Sequence, residues 1–160
     1  MRRESRTRMV IGVISDTHGL LRTQAVNALH GSDFIIHAGD IGGPDILKQL
    51  EKMAPVTAVR GNVDMEDWAR KIPLSDVVVV DGVWIYVLHI LNKLDLKPEG
   101  AGIAAVVYGH SHIPKQEFKN QVLYFNPDSA GPRRFDRPVS VGRLLVEDGN
   151  IHPELIHLDV

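Results

Sequence analysis

The chain has 160 residues, of which 44% are apolar and 24% charged, with a formal net charge of -2. That length suits one domain, the composition is globular rather than disordered, and the charge disfavours a broadly basic nucleic-acid binder. The absence of cysteine excludes disulfides, thiolate zinc sites, iron–sulfur clusters and cysteine nucleophiles, so any metal must be held by His, carboxylate, amide or water.

Residues 1–8 (MRRESRTR) carry four arginines, and no apolar stretch suited to a signal peptide follows. They read as a solvated, disordered leader to a single domain over 9–160. No apolar run approaches the roughly 20 residues needed to cross a membrane, so a cytoplasmic protein is the expectation.

Residues 9–15 (MVIGVIS) predict a buried strand. Residues 22–30 predict a helix with Ala25, Val26 and Leu29 on one face, and 33–38 (DFIIHA) a second strand. Residues 44–53 predict another helix, opened by Pro44, with Ile46, Leu47, Leu50 and Met53 as its apolar stripe. Residues 55–60 (PVTAVR) predict a third strand. This alternation argues for parallel strands with helices packed outside. The second half changes character. Residues 77–80 and 83–89 predict a hairpin about Asp81-Gly82, and 103–108 (IAAVVY) a buried strand. Residues 116–119 and 122–125 predict a second hairpin about Asn120, and 139–147 with 151–157 a third about Asp148-Gly149. Helices are scarce after residue 101. The expected fold class is α/β, with α+β character in the second half, built as two facing sheets with outer helices.

Polar residues gather where these strands end. Asp16 and His18 follow the first strand, Asp40 the second, and Asn62 and Asp64 the third. His89 closes the VWIYVLH strand, and His110 and His112 follow IAAVVY. In open parallel sheets, ligands bind at the carboxyl ends of strands. Singly, each residue has an ordinary explanation: Asp16 can cap a turn, and alternate histidines in a strand face opposite ways. His37 reads as packed within its strand, His30 as serving a helix end, and His152 and His157 as structural or surface residues. Five strand ends delivering donors together point to a metal. Carboxylate, imidazole and amide donors suit Mn²⁺, Fe²⁺, Zn²⁺ or Ni²⁺ rather than Ca²⁺.

The series D-x-H, G-D, G-N-x-D, H and G-H-x-H, over residues 9–157, resembles the calcineurin-like metallophosphoesterase superfamily, in particular its small bacterial and archaeal phosphodiesterase branch. That branch is similar in fold to a eukaryotic retromer scaffold subunit. The resemblance implies a four-layer α-β-β-α sandwich. It implies that Asp16, His18 and His112 hold one metal, that Asn62, His89 and His110 hold a second, and that Asp40 bridges them. The expected cofactor is a pair of divalent ions, Mn²⁺ first, with Fe, Ni or Zn as alternatives. Two such ions outweigh the charges of Asp16 and Asp40 by two, so the site stays positive even with one hydroxide bound. Such a pair lowers the pKa of a bound water, which attacks phosphorus in line. Asn62 and His89 would orient the phosphoryl oxygens, His18 is a candidate proton carrier, and Asp64 would hold a nearby imidazole.

Three positions depart from the pattern. The motif reads G-N-V-D, so Val63 stands where phosphomonoesterases often carry a proton-donating histidine. Leu88-His89-Ile90-Leu91 replaces T-H-G-H, which predicts an altered loop and a narrower site, and residues 92–102 are short for the usual helix. Asn126-Pro127-Asp128-Ser129 replaces N-P-G-S and adds an acid near a site meant for an anion. Arg133 and Arg134 follow as candidate phosphate contacts. The expected activity is hydrolysis of a small phosphodiester or nucleotide. The alternatives are a protein-binding scaffold of the retromer type, or a phosphomonoesterase or dinucleotide polyphosphate hydrolase. The sequence carries no membrane or strong nucleic-acid signal and leaves homo-oligomerisation open.

Overall fold

The computed structural model describes residues 8–134 and 136–160. The leader expected at residues 1–8 lies outside the described residues, except for Arg8, which opens a strand instead. The elements in chain order are β1 (Arg8–Ile14), α1 (Thr23–Leu29), β2 (Phe34–His37), α2 (Pro44–Glu51), β3 (Val56–Ala58), β4 (Ser75–Val80), β5 (Val83–Leu88), β6 (Ala105–Val107), β7 (Lys115–Lys119), β8 (Val122–Asn126), β9 (Ser140–Glu147) and β10 (Asn150–His157).

The strands form two five-stranded sheets, ordered β10-β9-β1-β2-β3 and β4-β5-β6-β8-β7. In the first, β1 is parallel to β2 and antiparallel to β9. In the second, β6 lies parallel to both β5 and β8. The three predicted hairpins form as β4–β5, β7–β8 and β9–β10. Their turns, Asp81-Gly82, Asn120-Gln121 and Asp148-Gly149, have positive φ at both residues. This is the backbone that two-residue loops need to match strand twist, and Asn, Asp and Gly tolerate it best.

The sheets pack face to face. Ile11, Val13 and Ile36 of the first meet Val78, Ile85, Val107 and Phe125 of the second. Gly142 on β9 leaves room for the Phe125 ring, because a side chain there would collide with it. Outside the first sheet, Leu29 of α1 and Ile46 and Leu50 of α2 cover Ile14 and Ile35. The second sheet has a thinner outer layer. The 3₁₀ turns Leu91–Lys93 and Pro98–Ala101 lie where a helix would be, and Leu91, Leu94 and Leu96 cover Leu88, Val106 and Tyr108. The four layers are therefore present, with the fourth reduced as the short segment predicted.

Phe125 is fully buried between the sheets. Phe125→Ala should destabilise the metal-free protein by about 3–5 kcal/mol, because the cavity cannot close between two rigid sheets. Urea unfolding checks this, and a loss well under 1 kcal/mol would mean the core does not depend on that ring.

Candidate metal centre

The strand ends of both sheets meet at one edge of the sandwich, and Asp16, Asp40 and His89 are each held by a hydrogen bond through one atom while another faces the cluster. One Asp16 oxygen, Oδ2, accepts the Ser15 hydroxyl (2.7 Å) and the His110 amide (3.2 Å), while Oδ1 is buried without a hydrogen-bond partner. Asp40 accepts the Val63 amide on Oδ1 (3.1 Å) and turns Oδ2 towards His89 and His18. His89 donates from Nδ1 to the Ala38 carbonyl (2.7 Å), which fixes its tautomer and leaves Nε2 bare. The Nε2 atoms of His18 and His89 are likewise buried and unpartnered.

These bare atoms converge. Asp16 Oδ1 lies 3.2 Å from His112 Nε2, and 3.8 Å from both His18 Nε2 and His89 Nε2. Asp40 Oδ2 lies 3.1 Å from His89 Nε2 and 3.8 Å from His18 Nε2. Asp16, His18 and His112 form one group whose donor atoms lie within 4.8 Å of one another, and Asp40, His89 and His110 form a second. Asn62 joins the second group through Oδ1, 3.2 Å from His110 Nδ1. Buried polar atoms left unpaired are costly, so atoms aimed at a common space rather than at each other fit a cation between them. Only nitrogen and oxygen donors are present, which suits Mn²⁺, Fe²⁺, Ni²⁺ or Zn²⁺.

The electrostatics agree. Burial pushes the Asp40 and Asp16 carboxyls up, but the neighbouring imidazoles outweigh it and hold both below the ordinary carboxylate range. Burial pushes the His89 imidazole down, but Asp40 and Asp16 outweigh it and hold it above the ordinary value. In the metal-free protein, a proton on His89 is thus favoured beside these carboxylates.

The backbone is bent to reach this arrangement. Asp16, His18, Asp40, His110 and His112 all have positive φ, between 48° and 72°. Non-glycine residues adopt that region rarely and at a cost. Two glycines permit the close approach: a side chain at Gly61 would collide with Asp40, and one at Gly109 with Ser15 and Asp16.

Asp64 does not hold an imidazole as expected. It is buried and accepts three backbone amides instead, from Ile41 (3.0 Å), Gly42 (3.1 Å) and Gly61 (2.9 Å). It thereby ties the Asp40 loop to the Asn62 loop. His37 is packed, as its sequence position suggested. Its Nδ1 accepts the Gly39 amide, so Nε2 carries the proton and donates to Thr17 Oγ1 (3.0 Å), which donates to the Ile41 carbonyl (2.7 Å). Burial lowers its pKa to about 4, so it stays neutral. Asn126 donates to the Gly109 carbonyl and Ser111, binding β8 to the His110 loop.

The departures have local explanations. Asp128 adopts the glycine-like φ of 73° and turns its carboxylate to the Ser129 amide (2.7 Å) and Ser140 hydroxyl (3.4 Å). Burial raises its pKa, so its charge is disfavoured there. Ile90 has an extended backbone (φ -111°) that needs no glycine. Val63 is half exposed and contributes its amide, not its side chain, to Asp40. Of the two candidate arginines, Arg134 lines a cleft of about 160 Å³ with His110 and His112, whereas Arg133 is exposed and does not line it. Arg137, which sequence reasoning passed over, shares that cleft and donates to the His112 carbonyl (3.4 Å).

Known proteins resemble this chain in sequence and in fold. A probable metallophosphoesterase of Methanocaldococcus jannaschii is 35% identical over 149 residues, covering 88% of this chain and 77% of that one. A phosphodiesterase of Escherichia coli is 26% identical, covering 81% of this chain and 84% of that protein. The structure of vacuolar protein sorting 29 from Cryptosporidium parvum superposes with a TM-score of 0.75 over 96% of this chain and 99% of that one, at 16% identity, which is a likeness of fold. Residues 9–149 match the calcineurin-like phosphoesterase superfamily domain, and the chain belongs to that family.

Proposed function

We propose that this protein is a metal-dependent phosphodiesterase that hydrolyses a small phosphodiester or nucleotide in the cytoplasm. The observation that carries the reading is the convergence of two donor groups, each with buried atoms that no protein partner satisfies. Asp16, His18 and His112 would hold one divalent ion and Asn62, His89 and His110 a second, with Asp40 shared between them. Mn²⁺ is the preferred metal, with Fe²⁺, Ni²⁺ and Zn²⁺ as alternatives. When bound, the pair supplies the positive charge that grips a phosphoryl group and lowers the pKa of water. The Asn62 amide and the His89 ring would orient the phosphoryl oxygens. His18, whose side chain is 21% exposed, sits between Asp16 and Asp40 and is the imidazole placed to pass a proton outward. The E. coli relative, named a phosphodiesterase, supports the diester reading. A protein-binding scaffold has the fold likeness in its favour, but it would not need a complete donor set.

Loss of Asp40 should be the most damaging single change to the donor set, because it alone belongs to both ion sites. Asp40→Ala should lose the metal pair and hydrolyse bis(4-nitrophenyl) phosphate below detection. Metal analysis and a Mn²⁺-supplemented assay check this. Two retained metals with near-normal turnover would refute the bridged pair, and an intact metal pair in the natural protein with no turnover on any phosphoester would favour the scaffold.

Metal uptake should depend on pH with a definite sign. The proton on His89 is held more tightly than on a free imidazole, and it must leave before metal binds. Uptake should therefore release protons, and Mn²⁺ affinity should fall by about ten-fold or more between pH 7.5 and 5.5. Calorimetry in buffers of different ionisation enthalpy reads both. An affinity indifferent to pH would exclude these imidazoles as ligands.

Val63 offers no proton to a leaving oxygen. General acid help is typically worth about 10²–10⁴-fold, so good leaving groups should be strongly preferred. Bis-aryl diesters should outrun aryl monoesters, whose extra charge opposes attack, and alkyl monoesters should be slowest. Val63→His should narrow the aryl-to-alkyl gap. Equal rates on aryl and alkyl monoesters would mean that another residue, with His18 the first candidate, acts as the acid.

A further inference from the structure

A cleft of about 380 Å³ opens beside the donors, on the side of Asn62 and His89. Resting on the phosphodiesterase reading, we propose that this cleft is a specificity subsite for one ester arm of the substrate, an apolar arm that ends in an anion of its own. A phosphoryl group held at Asn62 and His89 has this space as its neighbour, because both residues belong to the cleft wall.

Two cations line the cleft, Arg60 and Lys93. Arg60 leaves β3 with its backbone fixed by a 2.7 Å bond from its amide to the Pro73 carbonyl. Its Nε is shielded from water and has no acceptor among the described residues. A guanidinium in that condition is normally paired, and its planar donors match a carboxylate or phosphate. Lys93, on the facing 3₁₀ turn, is exposed, and no carboxylate among the described residues lies within ion-pair distance of it. Asp95 is the one acid in the wall, and it pairs with neither cation, so the cleft carries a net positive charge.

The rest of the wall is apolar. Tyr86 and Leu88 form its floor from β5, and Ile90, standing where the family pattern has glycine, adds to it. Leu74 lines the same space with 64% of its surface exposed. An arm with an aromatic or similar body would cover these surfaces, while its terminal anion reached Arg60 and Lys93. The smaller cleft on the opposite side, bounded by Arg134 and Arg137, has no such apolar wall.

The test compares benzylphosphonate with 4-carboxybenzylphosphonate, two probes that share a body and differ by one anion. Binding is measured by calorimetry on the Mn²⁺-loaded natural protein and on Arg60→Met and Lys93→Met, each first shown by thermal melting to be folded. The carboxylate should improve affinity for the natural protein by about ten-fold or more, the scale of one charge-assisted contact. That advantage should shrink to about three-fold or less in Arg60→Met and be reduced in Lys93→Met. Lys93 is exposed, so its variant keeps the test decisive should Arg60→Met fail to fold. Equal affinity of the two probes, no binding of either, or an advantage intact in the folded variants would overturn the subsite. Hydrolysis of bis(4-nitrophenyl) phosphate by the natural protein is followed separately. Absence of hydrolysis with the carboxylate advantage intact would refute the diesterase reading and support the subsite, whereas hydrolysis with equal probe affinities would refute the subsite alone.

Discussion

Two carboxylates with almost no access to water, Asp16 and Asp40, aim free oxygens at the same imidazole, His89, from 3.8 and 3.1 Å. Burying such charges is tolerable only beside positive charge. Much of the surrounding structure serves to meet that condition. His89 is held by the Ala38 carbonyl so that one nitrogen faces the acids, and its affinity for a proton rises in response. A divalent ion held there would answer the same need more completely, since it would satisfy several donors at once in place of the proton.

Holding the donors there strains the chain. Five of the seven candidate ligands have left-handed backbone, a conformation that persists only when its surroundings over-determine it. The over-determination is visible in three places. Asp64 gathers three amides from two loops. His37, Thr17 and Ile41 form a chain that locks the loop after β1 to the loop after β2. From the other side, Ser129 donates to the Asp16 carbonyl, and Asn126 ties down the Gly109 loop. These contacts span both sheets, so the site is rigid because the sandwich is closed around it.

The strands, and the polar residues that gather at their ends, were legible in the sequence for a physical reason. Buried strands are short apolar runs with sharp ends, and an Asp, Asn or His placed just past such an end cannot be core. Hairpin turns were equally legible, since only a few residues accept positive φ twice in succession. The partner of Asp64 was not legible, because a carboxylate that collects backbone amides leaves no pattern in side-chain types. Arg60 and Arg137 were passed over for a related reason. Loop side chains follow no period, and their direction depends on how two distant loops meet. The GNVD motif did place Asp64 beside the site, and the Arg immediately before that motif was the available signal for the cleft.

The thin fourth layer links the fold to the proposed subsite. A full helix over the second sheet would bury its outer face along one continuous stripe. Two short 3₁₀ turns and the residues between them cover the same face with Leu91, Leu94 and Leu96, and the chain regains the sheet by way of Ile103. The first turn starts directly after His89 and Ile90, so Lys93 is carried to the rim of the donor cluster rather than along a helix away from it. Ile90 adopts ordinary extended backbone at this point, so it can offer a side chain where a glycine would offer none. The candidate donors follow directly on the strand ends, so the sheets set their positions. The cleft beside them is shared: Tyr86 and Leu88 come from β5, Arg60 from the loop after β3, and Ile90, Lys93 and Asp95 from this short segment. On the proposed reading, the donors are tied to the sheets, whereas one side of the neighbouring cleft, Ile90, Lys93 and Asp95, comes from the short segment after β5.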